Sequence, residues 1–139
     1  MIVLDTNVVS EPMRLKGDPA VLAWLDRQAA DMLYLTTTSL AELLVGIDLL
    51  PVGKRKQGFE RMLGQLLEGL FGPRILSFDR DAATIYPKLV GRARREGRAI
   101  SVADGQIAAI AATHGFAIAT RDTAPFIAAG IPVIDPWEA

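Results

Sequence analysis

The sequence predicts an α/β fold in which a parallel β-sheet is covered by helices on both faces. Segments of strand character alternate with segments of helix character along the whole chain, an order typical of parallel sheets. The strand segments are apolar at consecutive positions, as expected of strands buried on both faces. Half of the 139 residues are hydrophobic, which suits a doubly covered sheet together with a subunit interface. We assign residues 1–139 to one domain.

Five segments have strand character, and each is short, apolar and bounded by polar or turn-forming residues. They are 2–4, 33–36, 74–78, 117–119 and 132–134. The residues that follow the first of them, Asp5 to Asn7, predict a turn, because aspartate and asparagine bond readily to nearby backbone.

The helical segments are recognised by apolar periodicity and by residues that start or stop helices. They are 18–30, 39–50, 59–70, 79–96, 101–113 and a short helix between the last two strands. Asp18 is the predicted N-cap of the first of them, and Gly115 is the predicted stop of the helix before it. Pro87 lies inside a helical segment and marks a place for a kink. Residues 51–58 predict a polar loop or the beginning of the next helix.

Composition excludes several classes of protein. The chain has no cysteine and one histidine, His114, so disulfides and zinc sites of cysteine and histidine are excluded. No apolar run approaches the roughly 20 residues that span a bilayer, and the N-terminus lacks the features of a signal peptide. We therefore expect a cytoplasmic protein without a membrane segment. The net charge of −1 means that any attraction to nucleic acid must come from local patches.

Four acidic residues, each with a structural explanation of its own, are the candidate functional groups: Asp5, Glu42, Asp104 and Asp122. The segments 39–42 and 101–104 each fit a helix capping box that ends on an acid. The two other acids follow strands directly, where aspartate is a common turn residue or helix cap.

Taken together, the four acids predict a metal site. Two of them follow strands and two open helices, and both kinds of position lie at the carboxyl edge of a parallel sheet, where α/β folds bind ligands. Carboxylates that converge there repel one another unless cations neutralise them. Mg²⁺ accepts few carboxylates, keeps several waters and favours phosphate-bearing substrates. Such ions activate water for phosphodiester cleavage.

Four blocks of the sequence, in this order along the chain, resemble the PIN-domain family, specifically VapC-type toxins of toxin–antitoxin pairs close to the FitB branch. The blocks are MIVLDTNVVSEP from Met1, SLAEL from Ser39, ADGQIAA from Ala103 and ATRDT from Ala119, and a Pro136-Trp137 pair near the end also fits that branch.

The resemblance implies a three-layer α/β/α fold with a central sheet of five parallel strands and the first strand in the middle. It also implies an endoribonuclease with Mg²⁺ or Mn²⁺ held at the four acids. Asp5 and Asp104 would be the principal ligands, while Glu42 and Asp122 would complete the shell directly or through water. The resemblance gives Asn7 and Thr120 the role of orienting the ligands, as residues behind a metal shell do.

The partners follow from the same resemblance. The substrate would be RNA, and the inhibitor a small cognate antitoxin, in most such pairs joined to a DNA-binding module. We expect a two-fold homodimer, the commonest oligomer. We also expect an antitoxin arginine to pair with the carboxylates in place of metal.

Basic residues and the single histidine have both structural and functional interpretations. The arginines at the end of segment 79–96 suit the helix dipole, and together with the run Lys54 to Lys56 they could also bind RNA phosphates. Arg121 could neutralise the acids or touch a phosphate. His114 is interpreted as a cation at a helix end, because no cysteine or second histidine exists to pair with it.

Three other functions are compatible with parts of this pattern. A phosphatase with Asp5 as nucleophile would need a second aspartate two residues on, where this chain has Asn7. A phospho-acceptor receiver domain would need an acidic pair at the first strand and a late lysine, and the last lysine is Lys88. A non-catalytic binding module on the same fold is disfavoured by the presence of all four acids, but is not excluded by it.

Overall fold

All five predicted strands pair in one parallel sheet in the computed structural model, which describes residues 1–139. The sheet order is β3-β2-β1-β4-β5, so the first strand is central as expected. The strands are β1 (Ile2–Leu4), β2 (Leu33–Thr36), β3 (Ile75–Leu76), β4 (Ala117–Ala119) and β5 (Val133–Ile134). The expected α/β architecture is therefore confirmed, with β3 and β5 shorter than the segments that predicted them.

Seven α-helices connect and cover the strands. They are α1 (Thr6–Ser10), α2 (Pro19–Arg27), α3 (Thr37–Asp48), α4 (Lys54–Gln65), α5 (Arg80–Arg95), α6 (Val102–His114) and α7 (Ala124–Ala128). A π-helical turn, Leu66–Phe71, continues α4, and two 3₁₀ turns occupy Glu11–Met13 and Ala30–Met32. The segment 51–58 is thus partly the start of a helix, since α4 begins at Lys54.

The two faces of β1 bury into different cores, which gives the three-layer arrangement. Ile2 and Leu4 pack with Leu43 of α3 and with other apolar residues of the α1–α4 side. Val3, between them, faces the other way and packs with Ile107 of α6 on the side that α5, α6 and α7 cover. Alternate residues of a strand point to opposite faces, so a strand buried on both sides must be apolar throughout.

Two predicted local features are wrong. Residues 5–7 do not form a turn, because α1 begins at Thr6 with Asp5 as its N-cap. The capping box proposed for Ser39 and Glu42 is also wrong: Thr36 is the N-cap, and its hydroxyl accepts the N–H of Ser39 at 3.0 Å. Ser39 is instead buried inside α3 with its hydroxyl unpaired.

Other helix boundaries agree with their predicted signals. Asp18 caps α2 by accepting the N–H of Ala20 at 2.8 Å. Gly115 ends α6 in the left-handed region with φ +70°, a conformation that glycine adopts without steric cost. Helix α5 continues through Pro87 to Arg95. We find no helix with the length and hydropathy that a membrane span requires.

Candidate functional site

The four candidate acids lie around the carboxyl edge of the central strands. Asp5 directly follows β1, and Asp122 lies in the loop between β4 and α7. Asp104 is in the first turn of α6. Glu42 does not open its helix as expected: α3 starts at Thr37, so Glu42 lies in its second turn. The fold brings all four to one edge, with Glu42 exposed and Asp5 buried.

Asp5 is held by hydrogen bonds to both of its carboxylate oxygens. The backbone N–H of Thr6 donates to Oδ1 at 2.8 Å, and the hydroxyl of Thr120 donates to Oδ2 at 2.8 Å. Only 6% of the residue is exposed. A buried carboxylate with both oxygens bonded is fixed in orientation before any ligand arrives.

Thr120 is itself positioned by two further bonds. Its hydroxyl oxygen accepts the backbone N–H of Asp122 at 3.1 Å and the side-chain amide of Asn7 at 3.4 Å. The other end of the Asn7 side chain, Oδ1, accepts the N–H of Arg121 at 3.3 Å. Asn7 therefore ties the start of α1 to the loop after β4, and Thr120 joins Asn7 to the Asp5 carboxylate.

Thr6 is a site residue that the sequence reasoning missed. Its hydroxyl donates to Oε1 of Glu42 at 3.0 Å, while its N–H bonds to Asp5. One residue thus connects two of the four acids. Its place in the sequence, between the two site candidates Asp5 and Asn7, could have indicated that it also lies at the acidic edge.

The charges of the four acids act on one another. Burial raises the pKa of Asp5 most, opposed by its hydrogen bonds and reinforced by the charges of Glu42 and Asp122. Burial also raises the pKa of Asp104, followed by the charge of Asp5, with a smaller contribution from Asp122. Each acid is therefore linked electrostatically to at least one other, as expected for like charges that share a site.

The acids do not form a finished metal cage. No group of three aspartate, glutamate or histidine side chains lies close enough together to hold one ion as the side chains stand. Like charges that share a site repel one another, so carboxylates at this edge favour a cation between them. The donor set is entirely carboxylate oxygen, which fits a hard cation such as Mg²⁺ or Mn²⁺ and not a thiophilic one.

The first turn of α6, which carries Asp104, packs closely against α5. The N-cap Ser101 accepts the N–H of Asp104 at 3.1 Å, so this capping interaction is as expected. A Cβ on the next residue, Gly105, would come within 2.7 Å of the Tyr86 ring. The absence of a side chain at Gly105 lets α5 approach closely and fixes the backbone that carries Asp104.

Arg121 immediately precedes Asp122 in the sequence, and its side chain packs on Trp137. Its guanidinium lies 5.1 Å from the centroid of the Trp137 ring, an arrangement that favours a positive charge over the ring face. Asp122, next in sequence, does not have the alternative role of a helix cap, because the N-cap of α7 is Thr123, which makes no side-chain cap bond. His114 lies in the last turn of α6, at the opposite end of that helix from Asp104.

Residues 2–131 match the PIN domain. This chain belongs to the PIN-domain family.

Individual relatives cover nearly the whole chain. The VapC ribonuclease Y4jK of Sinorhizobium fredii is 50% identical over 139 residues, with 99% of each chain covered. The toxin FitB of Neisseria gonorrhoeae is 44% identical over 137 residues, again with 99% of each covered. A solved structure of FitAB bound to an IR36 DNA fragment superposes with a TM-score of 0.93 at 45% identity, covering 99% of this chain and 96% of that one.

Proposed function

We propose that this chain is a metal-dependent endoribonuclease and the toxin component of a toxin–antitoxin pair. The observation that carries the proposal is the cluster of carboxylates, repelling one another, at the ligand-binding edge of the sheet. The names of the two relatives, a VapC ribonuclease and the toxin FitB, agree with it.

Mg²⁺ or Mn²⁺ is the proposed cofactor, with Asp5 and Asp104 as principal ligands and Glu42 and Asp122 completing the shell. The bound ion would supply an activated water and stabilise negative charge on the scissile phosphodiester. Small movements of the exposed carboxylates are required, since no three of them are within reach of one ion as they stand.

The chain's own residues prepare the site in distinct ways. Thr120 fixes the direction of the Asp5 carboxylate, and Asn7 fixes Thr120. Thr6 keeps Glu42 turned toward the same edge. Asn7, which replaces the second aspartate of a phosphatase site, is engaged at both ends of its amide and has no proton-transfer role.

RNA cleavage by purified, partner-free protein tests the proposal. Cleavage should require Mg²⁺ or Mn²⁺ and stop when EDTA removes the ion. Robust cleavage in EDTA would overturn the metal mechanism. Protein that binds RNA without cleaving it in either ion would instead be the non-catalytic binding module.

The proposed antitoxin would occupy the groove between α1, α3 and α4. This groove encloses about 270 Å³ and joins apolar walls, including Met13 and Phe59, to Glu42 and Thr6 of the acidic edge. A partner segment lying there buries apolar side chains and brings a basic side chain to the carboxylates. The solved FitAB complex, which includes DNA, favours a DNA-binding partner.

Crosslinking or a structure of the complex tests this placement. A basic partner residue should contact Asp5, Asp104 or Asp122, and its replacement by alanine should restore cleavage more than it weakens binding. A partner found only on the face opposite the acids would rule out direct occlusion.

A homodimer is proposed from the apolar residues that remain exposed along α3 and just after it. Leu44, Val45, Leu49 and Val52 are 50%, 58%, 78% and 93% exposed. Several exposed apolar side chains in one segment of the chain indicate an interaction surface. Sedimentation at micromolar concentration should give about twice the chain mass, and a monomer there would contradict the dimer without affecting the catalytic proposal.

A further inference from the structure

We infer that a cleft between the end of α5 and the start of α7 binds a backbone phosphate of the RNA strand outside the cleavage centre. The inference rests on the proposed ribonuclease function and assigns the substrate a second point of attachment. The cleft has a volume of about 560 Å³, and Arg92 and Arg98 line it together with Thr123 and Ile127.

Arg92 lies against Gly130, in the turn that follows α7. A Cβ at Gly130 would lie 2.5 Å from Nη1 and 2.6 Å from Cζ of Arg92. The guanidinium therefore occupies the space that any other residue at position 130 would fill. Gly130 has φ +86°, a conformation that also favours glycine. Both the backbone conformation and the close approach of Arg92 therefore favour glycine at position 130.

Arg98 is brought to the same cleft by the way α5 ends. The N–H of Gly97 bonds to the carbonyl of Arg94, and the N–H of Arg98 bonds to that of Ala93. This pair of bonds, with Gly97 at φ +79°, is a Schellman motif. The motif folds the chain back over the helix end, so Arg98 lines the cleft alongside Arg92.

The two arginine charges are available for a ligand. The single ion pair of the protein joins Arg14 to Glu11, so neither Arg92 nor Arg98 is paired with an acid. Glu96 is the one acidic residue on the cleft. The helix dipole explains why cations lie near the end of α5. It does not explain why Arg92 lies against Gly130, or why the chain folds back so that Arg98 lines the same cleft.

Two short stretches of chain connect residues of the cleft to residues of the acidic edge. Thr123, which lines the cleft, follows Asp122 directly, and Arg98 precedes the cap of α6 by only three residues. An acidic cleavage centre repels a polyanion, so a neighbouring cationic site is the physical means of holding the strand. A planar guanidinium is suited to phosphate oxygens because it offers parallel donors.

Binding of a fluorescent single-stranded RNA to an Asp104→Asn background in Mg²⁺ tests the inference. The double change Arg92→Ala with Arg98→Ala should lower affinity at least ~10-fold at low salt. It should also reduce the slope of log Kd against log salt by about 0.7, since each phosphate contact to a single strand contributes about 0.7. Arg80→Ala, an exposed arginine at the other end of α5, is the matched control and should change neither quantity. Glu96→Gln should strengthen binding.

A length series locates the contact. In the background protein, lengthening the RNA on one side of the cleavage position should raise affinity at the length that reaches the cleft, and the double variant should lack this gain. Equal affinities and slopes for the double variant and Arg80→Ala, or a gain with length that survives in the double variant, would overturn the inference. Failure of the proposed nuclease would show separately, as absence of cleavage by the unmodified protein in Mg²⁺.

Discussion

Asp5 and Asp104 carry the same carboxylate and lie at the same edge of the sheet, but the protein holds them differently. Asp5 is 6% exposed, and both of its oxygens accept hydrogen bonds from neighbouring residues. Asp104 is partly exposed in the first turn of α6, and the burial and nearby charges that raise its pKa outweigh its bond to Ser101. One side of the site is therefore built rigidly into the central strands, and the other is left with unsatisfied charge.

This difference explains why the acids cluster without forming a closed cage. A fixed Asp5 gives an incoming cation a defined first ligand, and the exposed carboxylates can then move toward it. We expect the positions of Asp5 and Thr120 to be the same with and without metal, and Asp104, Glu42 and Asp122 to move. Rigid positioning of the inner ligand is the usual task of the residues behind a metal shell.

Removal of either principal carboxylate should have the largest effect. Asp5→Asn and Asp104→Asn should each lower the rate of RNA cleavage by at least ~10²-fold, since even changes behind a metal shell cost 10–100-fold. In metal-free protein, Asp104→Asn should raise the melting temperature because it relieves repulsion. Asp5→Asn should raise it less, because charge-assisted bonds from Thr6 and Thr120 are weakened. Asp26→Asn, an exposed acid on α2, is the control, and normal cleavage by folded Asp5→Asn would contradict the proposed site.

Thr120→Val should have the next largest effect, because it removes the hydrogen bond that orients the Asp5 carboxylate. We expect a loss of about 10–100-fold in cleavage rate, and Thr120→Ser, which restores the hydroxyl, should recover most of it. Thr84→Val is a matched control, since the Thr84 hydroxyl donates only to a carbonyl of its own helix. Equal rates for Thr120→Val and Thr84→Val would mean that the hydrogen bond to Asp5 does not orient a ligand.

The pH dependence of stability should separate metal-free from metal-bound protein. Raised pKa values mean that the folded state binds these protons more tightly than the unfolded state, whose aspartates titrate near 3.8. The metal-free melting temperature should therefore fall as pH rises from about 4 through the raised pKa values. Asp104→Asn should flatten this fall, and Mg²⁺ should oppose it most at the higher pH. A fall that Asp104→Asn leaves unchanged would show that other groups cause it.

Thr6→Val should have the smallest effect of the series. It removes the hydroxyl bond to Glu42 but keeps the backbone bond to Asp5, and Glu42 is exposed and free to find water. We expect a loss of only a few-fold in cleavage rate, at the low end of effects behind a metal shell. A loss as large as that of Thr120→Val would mean that Glu42 is held as rigidly as Asp5, and the contrast between the two sides would be wrong.

The sequence predicted the sheet well because its strands are buried on both faces. The continuous apolar run Ile2–Leu4 followed by a lone aspartate identifies both a strand and the site at its end. The convergence of Asp5 with Asp122 follows from topology, since carboxyl ends of parallel strands share one edge. The sheet and the edge at which these two acids lie depend on the order of elements along the chain and not on side-chain detail.

Local helix starts were predicted less well, for physical reasons. The run from Thr36 to Ser39 offers four hydroxyl side chains, each able to cap a helix, and the pattern does not decide among them. Helix α1 has five residues, too few for apolar periodicity to be recognised. The bonds from Thr6 and the seating of Arg92 against Gly130 depend on tertiary approach, which local patterns do not encode.

Cleavage of RNA by purified protein with and without metal tests the central claim most directly. Partner-free protein, its Asp5→Asn variant and its Asp26→Asn control would be incubated with RNA in Mg²⁺, in Mn²⁺ and in EDTA, and the RNA ends sequenced. The account predicts defined internal cuts by the unmodified protein and the control in either metal, none in EDTA, and none above background for Asp5→Asn. Cuts of the same positions and rate by Asp5→Asn, or by the unmodified protein in EDTA, would contradict it.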